Sequence, residues 1–581
     1  MAGGWRNVSR REPCPICQKP DWCGVTVDGV VCHCMRVESP NPCPSGGWFH
    51  FLKERPKRVE VRRGPKPPVR PRMFNAELTM AGFRAEFESP GGGKDIFDSL
   101  IEVANDLNLC AADIDRLLVG RSAFHGAWAF PMLDGMGKCV GIRLREYGGS
   151  GKWSGCGWTG QPLIVQWPAE TRQIMNLYDW AKQKDNLVEV IYPTEDGNIY
   201  FLDLESGQQT RDTLVMNVPF KGTGSVDPRG WPLLYCGSGD QYENDSQKSR
   251  AFIISLINGR VLYEFGKQDT DSFARRRWYA YDSAPLVDAE TDTLIYPGEN
   301  GIVYTMKLNT VYDPAIGSIT VSPSNVVKFR YDCNNIYDEI DKADPTHKWQ
   351  GYEGSAVAWN GFLYLSSNDG MFQCIDLNTM QCIWVANTED DTNGSPVLDV
   401  ISDTEAYLYV GTSLHFNKDK NNTGIAPFFK IDAMTGEIKG RYGLTVYTVS
   451  GVSGGIQSTA AVGKQGSNVS DLVFISIARY PDKDKGLLVA LDKNTFDVRW
   501  KMDMDYYSWS SPTVVYNASG VGVVIQADSH GNIFMVDGAS GRVLGATAPT
   551  DSNFEASPAV FGNILVLGCR GDQTIFGLRL S

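Results

Sequence analysis

Six cysteines fall within the first 43 residues, Cys14, Cys17, Cys23, Cys32, Cys34 and Cys43, while the other eight are scattered singly. Thiolates this dense hold a soft metal ion. Cys14-Pro15-Ile16-Cys17 is a CxxC knuckle, a turn that offers two thiolates to one tetrahedral ion. The second pair comes from Cys23, Cys32 and Cys34; Cys43, His33 and His50 lie near enough to compete. An all-sulfur, four-coordinate set favours zinc over magnesium or calcium, so one structural zinc ion is expected. A disulfide scaffold would need an oxidising compartment. Met1-Ala2-Gly3-Gly4-Trp5-Arg6 lacks the apolar core of a signal peptide. No later apolar run reaches the roughly 18 residues of a membrane span, so a cytoplasmic protein without a membrane partner is expected.

A short ribbon must position these thiolates. Val25 to Val31, turning at Asp28-Gly29, reads as a hairpin between two knuckles, and residues 1–55 as a zinc ribbon. Residues 56–74 form a basic, proline-rich linker; its prolines block helix and sheet. Residues 1–75 hold 14 Lys/Arg against 6 Asp/Glu, a net of +8, leaving −21 for the rest of a chain whose total is −13. This asymmetry suggests a basic module on an acidic body. Arg55, Lys57, Arg58, Arg62 and Arg63 are candidates for phosphate contacts, and Trp22 and Trp48 are counted with them as nucleic-acid-binding residues. A solvated spacer would carry the same charges.

Residues 75–153 read as a small α+β segment. Ile96, Leu100, Ile101, Val103, Leu107, Leu109, Ile114 and Leu117 recur at helical spacing over 95–118. Gly126-Ala127-Trp128-Ala129-Phe130-Pro131-Met132 and Val140-Gly141-Ile142-Arg143-Leu144-Arg145 then make a hairpin about Asp134-Gly135. Together with Pro13-Cys14-Pro15-Ile16-Cys17-Gln18-Lys19-Pro20-Asp21-Trp22-Cys23, Cys34-Met35-Arg36-Val37-Glu38-Ser39 and Gly47-Trp48-Phe49-His50, these strings resemble the front end of phage- and plasmid-type DNA primases. The resemblance covers about a quarter of the chain. It implies a zinc ribbon that reads a single-stranded DNA template, with Cys14, Cys17, Cys23 and Cys34 as ligands and Cys32 as an extra thiol. It also implies a following TOPRIM centre, with Glu-Gly after a strand and a later Asp-x-Asp to hold magnesium. No acid directly follows Leu163-Ile164-Val165-Gln166-Trp167-Pro168. Asp269-Thr270-Asp271 has the spacing but no Glu-Gly partner. No catalytic residue is therefore expected.

Residues 155–581 repeat. Short apolar strands alternate with polar turns at a period of about 45–60 residues, the mark of a β-propeller. One unit opens each blade with small residues and proline: Ser283-Ala284-Pro285, Gly394-Ser395-Pro396, Ser511-Pro512, Ser557-Pro558. A second is a strand ending in Asp, then a turn: Asp203 to Gly207, Asp376 to Thr379 before Trp384, Asp432 to Gly436, Asp492 to Thr495 before Trp500, and Asp537 to Gly541. Asp caps the turn, Gly or Asn supplies positive φ, and the Trp packs between blades. Eight units start near 161, 225, 283, 354, 394, 457, 510 and 556. The last stops short of an outer strand, so Ile142 to Arg145 or Lys152-Trp153 is expected to be lent to it, or else the ring closes imperfectly. The fold expected is mainly β: a seven- or eight-bladed β-propeller preceded by a zinc ribbon and a small α+β segment.

The repeats resemble pyrroloquinoline-quinone-type propellers in the cofactor-free sense. Those quinone enzymes use adjacent cysteines, and here Cys374 and Cys382 lie eight apart, so no quinone is expected. The resemblance implies a binding platform for a protein or small ligand. The join near Gly149-Ser150-Gly151-Lys152-Trp153 thus unites modules of unlike type and reads as a fusion or chimera. Glu389-Asp390-Asp391 and Asp482-Lys483-Asp484 read as solvated blade loops with weak calcium potential. Arg275-Arg276-Arg277-Trp278-Tyr279 reads as a surface loop with an aromatic anchor, or as a channel-facing grip for an anion. Two function classes follow: a protein that holds single-stranded DNA through its ribbon and linker, or a propeller binding module with a vestigial primase-like N-terminus.

Overall fold

The structure is a computed structural model that describes residues 5–9, 12–19, 21, 23–26, 31–39, 48–52, 120–122, 127–133, 139–146, 160–240, 248–274, 276, 278–331 and 350–580. Two compact units divide it, Met1–Gly148 and Gly149–Ser581. The segment expected to be helical, 95–118, lies outside the described residues.

In the first unit, β1 (Trp5–Asn7), β2 (Gly24–Thr26), β3 (Val31–Cys34) and β4 (Trp48–Phe51) form one antiparallel sheet in chain order. β2 and β3 are the two arms of the expected hairpin, with Val25 opposite Cys32. The second hairpin is also present: β6 (Ala127–Leu133) pairs with β7 (Cys139–Glu146), and β5 (Gly120–Ser122) adds to β6.

The second unit is an eight-bladed β-propeller. Its eight main sheets begin at Leu163, Ser225, Leu286, Val357, Val397, Ala461, Thr513 and Ala559, close to the eight starts read from the sequence. Among its described residues, helix is confined to two short pieces, Ala169–Ile174 and Asp179–Gln183. Between blades, apolar side chains from facing sheets close the core. Tyr364, Phe372 and Cys374 pack with Leu408, Val410 and Phe429, for example. Strands buried on both faces read as continuous apolar runs, as in Leu472–Ala478.

The strand-Asp turns form as expected. Asp432 accepts the backbone N–H groups of Met434 and Thr435, each at 3.0 Å. Asp492 accepts those of Asn494 and Thr495 at 2.8 and 3.0 Å. Trp384 and Trp500 do pack between blades, donating Nε1–H to the carbonyls of Ala433 (3.2 Å) and Gly538 (2.8 Å) of the next blade. Each indole lies flat against a turn glycine, Gly436 or Gly541, where a β-carbon would fall 2.6 Å from the ring. One expectation fails. In the turns after Asp376 and Asp492 the positive φ falls on Met380 and Phe496, not on asparagine. Phe496 is held there by stacking on Phe428, with ring centroids 5.8 Å apart.

Of the three closures expected, the loan of Ile142 to Arg145 is not seen, and a last blade short of an outer strand agrees with imperfect closure. The eighth sheet has three strands, Ala559–Phe561, Ile564–Cys569 and Thr574–Arg579. Ile142 to Arg145 is spent in β7, and Lys152-Trp153 lies outside the described residues. Among the described residues, side chains join the ends. Val566 of the last blade packs on Val190 and Leu204 of the first, Arg570 pairs with Glu195 at 3.2 Å, and Gln161 Nε2 donates to the Pro558 carbonyl at 2.6 Å.

Candidate metal centre and axial channel

The CxxC turn and the β2–β3 ribbon bring four thiols together. The Sγ atoms of Cys14, Cys17, Cys23 and Cys34 all lie within 4.8 Å of one another, three of the residues being buried. Ligands about 2.3 Å from a tetrahedral zinc would stand about 3.8 Å apart. The Cys17–Cys23 separation is 3.8 Å. An all-thiolate set of this size fits zinc, which would supply the cross-link that a ribbon this small needs in place of a larger core.

Donors point at two of the sulfurs, while burial pushes the Cys23 thiol up to about 12 and raises that of Cys34. Met35 N–H points at Cys23 Sγ at 3.4 Å. Arg36 reaches toward Cys23 and Cys17 at 3.8 and 4.0 Å and is steered by Asp21 at 2.6 Å. Burial resists the Cys17 thiolate, but the Lys19 backbone N–H and the neighbouring thiols bring it down to about 7. Cys32 is fully buried, with Sγ 3.6 Å from Cys14 Sγ, yet stands outside the group of four. Burial, followed by Cys14, pushes its thiol up to about 12. His50 is occupied by the Val37 carbonyl at 2.9 Å. Trp48 is half-buried on β4, opposite Cys34. Trp22, Cys43, Arg55, Lys57, Arg58, Arg62 and Arg63 lie outside the described residues.

In the propeller, one cavity of about 320 Å³ is lined by residues from all eight blades, which places it on the axis. The small-residue starts build its wall. In six of the eight blades a backbone N–H donates to a hydroxyl of the next: Gln161 to Thr223 (2.8 Å), Ala284 to Ser355 (2.8 Å), Ser355 to Ser395 (2.9 Å), Ser395 to Thr459 (3.1 Å), Thr459 to Ser511 (3.0 Å) and Ser511 to Ser557 (3.2 Å). Ala284 interrupts this necklace; there Ser225 Oγ donates to the Pro285 carbonyl at 2.6 Å instead. The residue before each hydroxyl must be small. A β-carbon at Gly354 would lie 2.9 Å from the Gly394 carbonyl oxygen, and one at Gly394 2.5 Å from that of Ser458.

Two positions before the hydroxyl, or before Ala284 in its place, stands a polar or charged residue in most blades, among them Lys221, Asp282, Glu353, Asn393, Gln457 and Glu555. These form a buried acidic network. Lys221 Nζ is 3.9 Å from Asp282, and Arg276 is 3.8 Å from Glu299 and donates to Asn368 at 2.7 Å. Asn368 in turn donates to Glu353 (3.1 Å) and Asp391 (3.0 Å), and Asn393 also donates to Glu353 (2.8 Å). Burial pushes Asp282 up to about 7 despite Lys221, with Glu353 adding to the rise. Burial and Glu353 do the same to Asp391, also to about 7. Glu195 is raised to about 7 by burial, against Arg570. Glu299 is driven well up by burial and by Asp282 and Glu353.

This network corrects two expectations. Arg276 is no surface residue: it is 9% exposed and lies 3.8 Å from the Glu299 carboxylate. Arg275 and Arg277 lie outside the described residues. Asp390 and Asp391 are buried rather than solvated, and Asp390 accepts the backbone N–H groups of His415, Phe416 and Asn417. Asp271 of the Asp-x-Asp string is bound to Lys328 at 2.7 Å and accepts from Tyr304 at 3.0 Å.

No protein-family model and no curated protein matches this sequence. Among solved structures, the chain is similar to the computationally designed protein Ika8, at 11% identity over 68% of this chain and 93% of that one, with a TM-score of 0.41. It is similar to BamB from Moraxella catarrhalis at 12% identity, over 71% and 97% of the two chains, with a TM-score of 0.42. It is similar to the quinohemoprotein alcohol dehydrogenase ADHIIG from Pseudomonas putida HK5 at 13% identity, over 71% and 70%, with a TM-score of 0.45. Among the described residues, no helix is long and apolar enough to cross a membrane.

Proposed function

We propose that this is a non-enzymatic binding protein of two parts: a zinc ribbon (1–55) whose basic linker (56–74) holds single-stranded DNA, and a β-propeller that serves as a platform for a protein or small ligand. The observation that carries the first part is the convergence of Cys14, Cys17, Cys23 and Cys34 on one ion-sized space. Such a cross-link lets a small ribbon present Trp48 and the adjoining basic residues as a fixed surface. A reducing, cytoplasmic setting keeps the thiolates available to zinc. The primase-like hairpin within 75–153 belongs, on this reading, to the same DNA-binding half.

The test is fluorescence anisotropy of labelled single-stranded DNA with the full chain, titrated with salt, with and without a zinc chelator. Binding is expected to weaken with salt at a slope of about −0.7 per phosphate neutralised, so to about −3.5 if Arg55, Lys57, Arg58, Arg62 and Arg63 all engage. Chelation or the double substitution Cys14→Ser, Cys17→Ser should abolish it. Salt-insensitive binding, or none at low salt, would leave the propeller as the working part and the ribbon as a relic.

A further inference from the structure

We infer that the axial channel of the propeller is a binding site for a small organic ammonium ion, held by Asp282 and Glu353 within the hydroxyl necklace. This rests on the reading of the propeller as a platform and names the chemistry its axis takes.

The charge of the wall points to a cation. Among the described residues lining the channel, Asp282 and Glu353 are charged and none is basic; the rest are hydroxyls, amides and small or apolar groups. Behind the wall, Asp240, Glu299 and Asp391 add carboxylates, against Lys221 and Arg276. A buried excess of acids is costly unless a cation or protons join it.

Asp282 also has bonding capacity to spare. Its side chain is 5% exposed, its Oδ1 makes no hydrogen bond, and the residue lines the cavity. An orphaned buried carboxylate oxygen calls for a donor. Ser355, Ser395, Thr459 and Ser511 each accept one backbone N–H, and each keeps a second lone pair for a further donor. An ammonium group, with three N–H donors, matches carboxylate and hydroxyl acceptors together.

The arrangement favours an extended organic cation over a metal ion. Among the described residues the four thiols are the sole group close enough to share one ion, so the channel carboxylates are not gathered for direct coordination. A cavity of about 320 Å³ is at the lower end of small-molecule sites and suits a short alkyl amine.

The experiment is isothermal titration calorimetry of the full chain at low salt and about pH 8, with three probes: putrescine, its neutral counterpart 1,4-butanediol, and calcium chloride. Saturable one-to-one binding of putrescine is expected, with no heat from butanediol. Asp282→Asn and Glu353→Gln should each weaken it about tenfold or more, since each removes a charge-assisted contact. Thermal melting of each variant, unchanged or raised, separates a lost ligand contact from a lost fold. Equal affinity in both folded variants would overturn the proposal. So would saturable calcium binding that excludes putrescine. Binding of butanediol alone would overturn the ammonium site but keep the platform, whereas silence from all three probes would count against both.

Discussion

At the residue scale, Cys32 and Cys34 sit two apart on one strand and meet different fates. Alternation sends neighbouring side chains to opposite faces but returns positions two apart to the same face, so both thiols are buried near Cys14. Cys34 completes the set of four, and Cys32 remains a neutral thiol with its proton held by burial. Cys34→Ser should therefore lose the stoichiometric zinc, and Cys32→Ser should keep it, as read by metal analysis of purified protein. The sequence made the CxxC pair plain but left three candidates for the second pair. Spacing along a strand does not say which sulfur the ribbon's twist will bring within reach. The primase-like resemblance pointed to the set that the structure brings together.

At the scale of the element, the turns show what local chemistry can and cannot reveal. The Asp caps were legible because an Asp side chain reaches only the backbone two or three residues ahead. The glycines at 436 and 541 looked like ordinary turn glycines. They serve twice, adopting φ of 74° and 75° and leaving room for an indole from the neighbouring blade. Gly541→Ala should cost about 2 kcal/mol, the left-handed penalty plus displacement of Trp500, measurable by chemical denaturation. The positive φ at Phe496 was illegible, because what sustains it is a stack on Phe428 from the neighbouring blade. Likewise the Ser-Pro and Gly-Ser starts were visible as a repeat. Their role as a ring of N–H to hydroxyl bonds depends on the neighbouring blade. The polar residue two positions before most of these starts, Asp282 and Glu353 among them, was the signal that would have found the channel acids.

At the scale of the whole molecule, the acidic body foretold by the charge asymmetry proves to be partly an acidic interior. Native Asp282, Asp391 and Glu195 keep their protons up to about 7 because of burial. Their unfolded counterparts release them near 4. Between these values the folded chain binds more protons than the unfolded one, so stability is greatest at the acid end of the window and is lost as pH rises through about 7. The slope should be on the order of 1 kcal/mol per pH unit for each group. The propeller's melting temperature is expected to be higher at about pH 5.5 than at about pH 8, and Asp282→Asn should flatten the difference. Thermal scans across that range, followed by tryptophan fluorescence, check this. Eight blades were countable from the sequence because each repeats a local pattern. How the ring shuts was not, since that is set by residues nearly 400 positions apart.

That closure has a mechanical meaning. Seven junctions between blades are crossed by the polypeptide itself; among the described residues the eighth is held by a glutamine amide, an ion pair and a small apolar patch. A load applied at the start of the propeller, where the first module is tethered, therefore pulls directly on the junction these contacts hold. The ring would yield there first and then peel away blade by blade, each step lengthening the chain while leaving the remaining blades intact. The molecule is built less like a closed hoop than like a clasped bracelet.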